Sequence, residues 1–460
     1  MGGKSPRRRG GVKGVTGRRP EQIRSCPLEL SRRVRPDKPC HPSTASEDAV
    51  RNLDPDDTEQ ADLRGGVAPW QAAADPSVPA LTQDCRCDVL IVGAGITGAL
   101  MAEQLTHQGL DVVIIDRERP AHGSTAASTS MLLWEIDRPL RDLAALYGFE
   151  RATRAYRASL DAMQGLRLLI ARLGLPCRMR DKQSLYLAAG ESDRDLREEH
   201  DLRRQAGLPG DFLDHRALLE TFGIARAAAL LSPASADADP VLLACAALAV
   251  AIQRGARLFD GAAVAFDAAG RSVGVSLESG RVIEARHVVL ATGYVMPDIV
   301  QATIHKATSS WAIATAPQPE NLWPEGVLIW EDRQDYLYAR TTADGRIVIG
   351  GEDDDKAIEP EARDALTPAK SLALARQLEA LWPRARAEAQ FKWSGVFDTT
   401  SDGLPLIGPV SGTRGVYAAY GYGGNGITFS YLAAQLLGQT IAGTRPVLLD
   451  DFAVDRDGVA

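Results

Sequence analysis

An α/β fold organised around a Rossmann-type βαβ unit, with a further α+β portion, is what the 460 residues predict. Three observations carry that expectation. The stretch Cys87 to Asp116, CDVLIVGAGITGALMAEQLTHQGLDVVIID, reads as an apolar strand, a glycine turn, an amphipathic helix and a second strand. Val282 to Gly293, VIEARHVVLATG, is a late strand that could return to the same sheet. Val416 to Tyr420 is another strand, running into a glycine loop and a helical pattern from Ile427 to Ile441.

In the first unit Gly93, Gly95 and Gly98 fall in GxGxxG. The first glycine allows the tight turn, the second lets backbone approach a pyrophosphate, and the third lets helix and strand pack closely. Ile96 and Thr97 open the helix, whose free N–H groups and positive dipole end favour phosphate. Asp116 ends the second strand, 23 residues after Gly93, with Arg117 beside it. A carboxylate there is placed to accept hydrogen bonds from an adenosine ribose. Strand, helix, strand and terminal acid in that order predict a dinucleotide site, without separating FAD from NAD.

Features further along favour FAD. The small-residue loop after the second strand, Gly123, Ser124, Thr125, Ala126, Ala127, Ser128, Thr129 and Ser130, offers hydroxyls and amides to phosphate and ribityl oxygens. Ala291, Thr292 and Gly293 end the late strand where it would lie beside the adenosine. The last glycine loop, Gly421 to Gly426, also matches GxGxxG, but only 19 residues follow Ile441 and they hold no second acid-ended strand. A complete second nucleotide unit is therefore not expected. Gly423, Gly424, Asn425 and Gly426, followed by Ile427 and Thr428, are read as a helix N-terminus aimed at the flavin, where its dipole would stabilise the negative charge of the reduced ring. With no NAD(P)H unit, electrons are expected from an organic substrate.

Composition narrows the alternatives. Net charge is −8, unevenly spread: residues 1–40 carry 12 Lys and Arg against 3 Asp and Glu, and residues 41–80 carry 2 against 8. Ten of the 26 prolines also fall in these 80 residues, so the segment is expected to be a disordered basic-then-acidic tail, dispensable or the product of a misplaced start. No amphipathic period or apolar core marks the Arg-rich stretch as a nucleic-acid arm or leader. No apolar run approaches the roughly 20 residues of a membrane span. The six cysteines form no CxxC pair and suggest a reducing compartment, so a cytoplasmic protein without nucleic-acid partner is expected.

Taken together, IVGAGITG, Asp116, HGSTAAST, LATG, WSGVFDTTSDGLPLIGPV and YGYGGNGIT resemble the D-amino-acid oxidase-like (DAO) family of flavoproteins. That family includes glycine and sarcosine oxidases, D-amino-acid dehydrogenases and oxidases of putrescine derivatives. The resemblance covers about residues 84–445. It implies a discontinuous Rossmann-type FAD-binding domain, 84–139 with 224–297 and 391–446, and an inserted α+β substrate domain on a mixed or antiparallel sheet, 140–223 with 298–390. Residues 447–460 would be a C-terminal tail. By the same resemblance the Val264 backbone would meet adenine. The residues support the layout: helical spacing runs from Leu140 to Leu173, a hairpin spans Tyr336 to Gly351 around Ala343-Asp344-Gly345, and Asp239-Pro240 starts a helix over 241–254 that leads to a strand over 255–266.

Departures from the family shape the functional expectation. Phe397 stands where glycine oxidases carry an Arg that grips the substrate carboxylate. Residues 393–401 lack the Cys, and Ala126 and Ala127 replace the His, through which some relatives attach flavin, so FAD is expected to be held non-covalently. Val348 falls near the position of an oxygen-activating Lys in sarcosine oxidases, which tilts the expectation toward a dehydrogenase over an oxidase. The expected reaction is oxidation of the C–N bond of a small amine or amino acid to an imine by hydride transfer to flavin N5, with O2 or another acceptor taking the electrons. Alternatives are a 2-hydroxy-acid or glycerol-phosphate type dehydrogenase and a non-catalytic flavin-binding subunit. Tyr338, Arg340 and Glu352 are the expected catalytic-pocket residues, Glu352 to hold a cationic amine or accept its proton. Tyr338 is equally consistent with packing, Glu352 with a solvated acidic run, and Trp311 and Trp330 with either pocket wall or core. His305-Lys306 reads as an ordinary loop.

Overall fold

The computed structural model describes residues 63–70, 78–300, 304–332, 337–354 and 358–456, together with Gly2. The chain divides into units 1–50 and 51–460, and of the first only Gly2 is described.

Five parallel strands make the heart of an eight-stranded sheet, in the order Val416–Tyr420, Val282–Leu290, Cys85–Val92, Val112–Asp116 and Arg257–Asp260. Leu90, Ile91, Val113, Ile114, Val288 and Val289 are fully buried, as expected where a parallel sheet is covered on both faces. Leu406–Pro409 closes one edge antiparallel to Val416–Tyr420, while Val273–Leu277 folds back antiparallel on the first half of Val282–Leu290 and pairs on its other side with Ala263–Asp267. The crossover helix Ile96–His107 packs against helices Pro240–Gln253 and Gly426–Ile441. Pro240 sits in the first turn of its helix, and the Asp239 carboxylate caps the N–H groups of Val241 and Leu242 at 3.1 and 3.0 Å.

The second sheet is larger and mixed. Ten strands run in the order Arg64–Val67, Ala389–Thr400, His305–Thr315, Ile347–Asp354, Tyr338–Thr341, Leu328–Asp332, Arg180–Ala188, Ala228–Asp237 and Met131–Leu132, with Asp211–Asp214 also on Ala228–Asp237. All neighbours are antiparallel except Leu328–Asp332 with Arg180–Ala188. Helix Pro360–Leu381 buries Leu374, Leu378 and Leu381 against this sheet, in one cluster with Ile313, Ile347 and Ile349. The predicted hairpin is present, with Thr341 opposite Ile347 and Gly345 at φ +84° in its turn.

Several expectations need correction. The segment 1–80 is not tail throughout: Arg64–Val67 is an edge strand along Ala389–Thr400, and Asp260 donates its N–H to Pro79. A four-residue strand is invisible to composition averaged over 80 residues, while most of that segment lies outside the described residues. The 255–266 strand is two strands, because the chain turns at Gly261 and Ala262, with the Gly261 N–H donated to the Asp116 carbonyl. The 140–173 helix is two helices, Leu140–Tyr147 and Phe149–Leu173, parted by Gly148 at φ +81°. Ala228–Asp237 and residues 391–400, expected beside the nucleotide, pair within the larger sheet. Residues 447–456 are docked rather than trailing: Phe452 is fully buried, and Arg456 grips the buried Asp402 at 2.7 and 2.9 Å.

Candidate active site

A cavity of about 400 Å³ opens where the parallel strands end, and the larger sheet supplies its opposite wall. That position, beyond the carboxyl ends of parallel strands, is where open α/β sheets bind ligands.

The glycines explain the nearer wall. Gly93 turns the chain at φ +108°, and a Cβ there would lie 2.3 Å from the Ala291 carbonyl oxygen. A Cβ on Gly98 would lie 1.9 Å from the Gly93 carbonyl oxygen, so this glycine serves helix-to-turn packing and does not line the cavity. Gly95, Ile96 and Thr97 do line it. Gly95 at the N-cap has no side chain to cap this helix and its first turn holds no acid, so its positive end faces the cavity without a resident anion. Asp116 accepts the N–H groups of Ala94 at 2.6 Å and Glu118 at 2.9 Å. Burial nevertheless outweighs these bonds and pushes its carboxyl up to about 6.

The small-residue loop is held from outside by its carbonyls. Trp393 Nε1 donates to Ala127 O at 2.8 Å, Trp70 Nε1 to Ser128 O at 2.9 Å, Arg340 Nε to Thr129 O at 2.6 Å, and Arg64 to the carbonyl of His122. Thr125 Oγ1 accepts the Ile96 N–H at 3.0 Å, joining loop to helix. Gly123, Ser124, Thr125, Ser128 and Thr129 line the cavity, as do Arg117, Val264, Ala291, Thr292, Gly293, Gly423, Gly424, Asn425, Gly426 and Ile427. Thr428 does not; it is buried in the helix and donates to Leu133 O at 2.7 Å. The donor set fits FAD: a helix end free of acids behind two turn glycines, threonine and serine hydroxyls, and an acid at the second strand's end would hold its phosphates and sugar.

Of the three expected catalytic residues the structure brings one to the cavity. Tyr338 lines it, with its hydroxyl 3.3 Å from Ser310 Oγ and its phenol raised by burial. Gly350 on the neighbouring strand makes room for this ring, since a Cβ there would lie 2.4 Å from Tyr338 Cε2. Arg340 is buried behind the loop: besides Thr129 O it donates to Ala238 O at 3.1 Å, lies 3.5 Å from Asp237 and stacks 4.8 Å over Trp70. Burial pulls its guanidinium down to about 10 against the pull of Asp237. Positions 338 and 340 share a face of the strand, and what separates them is that the Thr129 carbonyl of the loop meets only the second. Glu352, at φ +59°, turns toward helix Pro360–Leu381, where its carboxylate accepts from Gln377 and its carbonyl accepts from Lys370 at 2.7 Å. It is a tie between strand and helix and does not line the cavity. Trp311, Trp330 and Phe397 do. His305 and Lys306 begin a strand rather than a loop.

Sequence reasoning missed Asp137. Its carboxylate lines the cavity and accepts the Gly424 N–H at 2.6 Å, and burial pushes it up to about 6 despite that bond. Side chains are barred from positions 423 and 424 because a Cβ would lie 2.3 or 2.9 Å from its oxygens. The last glycine loop thus seats an anion of the protein itself. A lone acid in WEIDRP carries no pattern that could have announced this; only the pair of glycines hinted that something sits close.

A family model described as DAO, FAD dependent oxidoreductase, matches residues 88–440. The gamma-glutamylputrescine oxidoreductase of Escherichia coli (strain K12) is 24% identical over 386 residues, 81% of this chain and 88% of that protein. A putative Rieske 2Fe-2S iron-sulfur protein of Bacillus subtilis (strain 168) is 24% identical over 382 residues, 81% of this chain and 72% of that protein. Among solved structures, glycine oxidase from Geobacillus kaustophilus superposes with a TM-score of 0.68 at 21% identity, over 81% of this chain and 99% of that one.

Proposed function

We propose, from the premise that this chain belongs to the DAO family of FAD dependent oxidoreductases, that it oxidises a C–N bond of a small amine or amino acid. The observation that carries this reading is that one cavity is walled by the glycine turn on one side and by Trp311, Trp330 and Tyr338 on the other. A nucleotide cradle and an aromatic ligand wall therefore face the same space.

FAD, when bound, supplies a two-electron acceptor for a C–H bond. The chain's own contribution is binding and orientation: the aromatic wall excludes water and holds the substrate carbon against the cofactor side. The neutral amine would give up a hydride equivalent from carbon, leaving an iminium ion whose N–H proton passes to solvent water to give the imine. Water then adds to the imine, giving a carbonyl compound and a released amine. The electrons pass on to O2 or another acceptor. No side chain has to act as an obligatory base once the amine is neutral, which agrees with Glu352 pointing elsewhere. We place the reaction in the cytoplasm, in keeping with the free thiols of Cys85, Cys87, Cys177 and Cys245 and with no described helix being long and apolar enough to cross a membrane.

Anaerobic addition of secondary amines, D-amino acids, polyamine conjugates and 2-hydroxy acids to the FAD-loaded protein tests the reading. Bleaching of the flavin absorbance by at least one amine class is expected; bleaching by hydroxy acids alone would overturn it.

A further inference from the structure

We propose that Asp137 is the anionic subsite of this cavity and selects a cationic amine with no carboxylate on the reacting carbon. The inference rests on the amine reading above and names the substrate class for the same site. Among the described lining residues, the Asp, Glu, Lys and Arg side chains are Asp116, Arg117, Glu118, Glu278 and Asp137. Asp116 ends strand Val112–Asp116 with Arg117 and Glu118 just after it, and Glu278 follows Val273–Leu277, so all four belong to the ends of the nucleotide sheet. Asp137 alone stands elsewhere, and its charge is felt at both Tyr338 and Tyr294. The wall it shares the cavity with is aromatic and apolar: Trp311, Trp330, Tyr338, Phe397, Met131 and Leu133.

Such a wall has no described cation to receive a carboxylate. Arg340, the arginine of the neighbouring strand, is committed to Thr129 O, Ala238 O and Asp237, and Phe397 holds the position facing the cavity on strand Ala389–Thr400. A carboxylate that lines one cavity with aromatic rings is instead an arrangement that receives an ammonium group, one other than the neutral amine that reacts, through a charge-assisted hydrogen bond and cation–π attraction. The second, smaller cavity, of about 220 Å³, also touches Asp137, so the acid is approached from two sides. Its one hydrogen bond, from Gly424 N, leaves acceptor capacity for a ligand, because a carboxylate has about four lone-pair sites.

The test uses the purified FAD-loaded protein and two inert probes, tetramethylammonium and acetate, followed by the flavin difference spectrum, with amine turnover measured in parallel. Tetramethylammonium is expected to perturb the spectrum and compete with substrate, and acetate to do neither. Asp137→Asn keeps an acceptor for Gly424 N, so FAD content should hold while KM for cationic amines worsens by at least about tenfold, the loss of one charge-assisted hydrogen bond, and the tetramethylammonium affinity, which rests on charge and aromatic contact without a hydrogen bond, also falls. A merely structural role would move FAD content and leave the KM ratio between cationic amines and α-amino acids unchanged, and that result overturns the proposal. If the variant does not fold, the ranking of the two probes on the unmodified protein decides alone: acetate competing in place of the cation refutes it. Failure of every amine to bleach the flavin would instead refute the amine reading itself.

Discussion

Arg340 and Glu352 show how far residue identity outruns residue role. Both were reasonable pocket candidates by position on a hairpin, but Arg340 holds loop carbonyls in place and Glu352 ties its strand to a helix. Arg340→Ala should therefore cost stability and cofactor retention rather than chemistry. Loss of its charged hydrogen bonds is expected to destabilise by about 2–3 kcal/mol, with Arg180 still neutralising Asp237. Denaturant unfolding and the FAD-to-protein ratio would check this, and kcat of whatever protein retains FAD should be unchanged. Glu352→Gln should leave kcat/KM within about twofold, the scale of substitutions away from a working site. A hundredfold loss would return Glu352 to the mechanism. Asp116 was legible because an acid at the end of the second strand has a known spacing from the glycines. Asp137 was not, since its partners lie 287 residues further along the chain.

At the scale of elements, the glycine-rich turns and their strands could be read almost to the residue, because apolar period and turn chemistry are local properties. Val416–Tyr420 and the helix beginning at Gly426 appear where the pattern placed them. The edge strand Arg64–Val67 did not announce itself: four residues carry no period, and the strand exists only because Ala389–Thr400 offers it a partner. Its neighbours nevertheless reach the cofactor side, Leu63 as a cavity wall and Trp70 through Ser128 O. Removing residues 1–70 should weaken FAD binding by roughly tenfold or more, one buried indole hydrogen bond and its packing being worth about 1–2 kcal/mol. Removing residues 1–62 should leave it unchanged. Fluorescence titration of both truncated proteins with FAD separates the two outcomes, and equal affinities would show that the strand is ornamental.

For the whole molecule, the two sheets and the docked C-terminal residues unfold as a set of mutual supports. Burial alone would raise the Asp402 carboxyl, but the hydrogen bonds and charge of Arg456 outweigh it and hold it at about 2. A folded value below the unfolded one contributes stability above the unfolded value of about 4, and that contribution disappears as pH falls toward 2. Asp116 has the opposite sign. Its folded value of about 6 lies above the unfolded one, so its contribution is present below about 4 and lost as pH rises through 6. Thermal melts of the FAD-free protein should show both: Arg456→Ala removes most of the acid-side decline between pH 4 and 2, and Asp116→Asn flattens the decline between pH 4 and 6. The membership of the larger sheet was not legible, because Ala228–Asp237 and Leu328–Asp332 each pair with Arg180–Ala188 across separations that no local window contains.

The seat of Asp137 on the closing glycine loop carries a rule for diversification. An acid at 137 and a β-carbon at 423 occupy the same few ångströms, so lineages that keep one should forbid the other. Relatives that trade this aspartate for a shorter residue are expected to let position 424 vary, whereas position 423, at φ +58°, keeps its need for glycine.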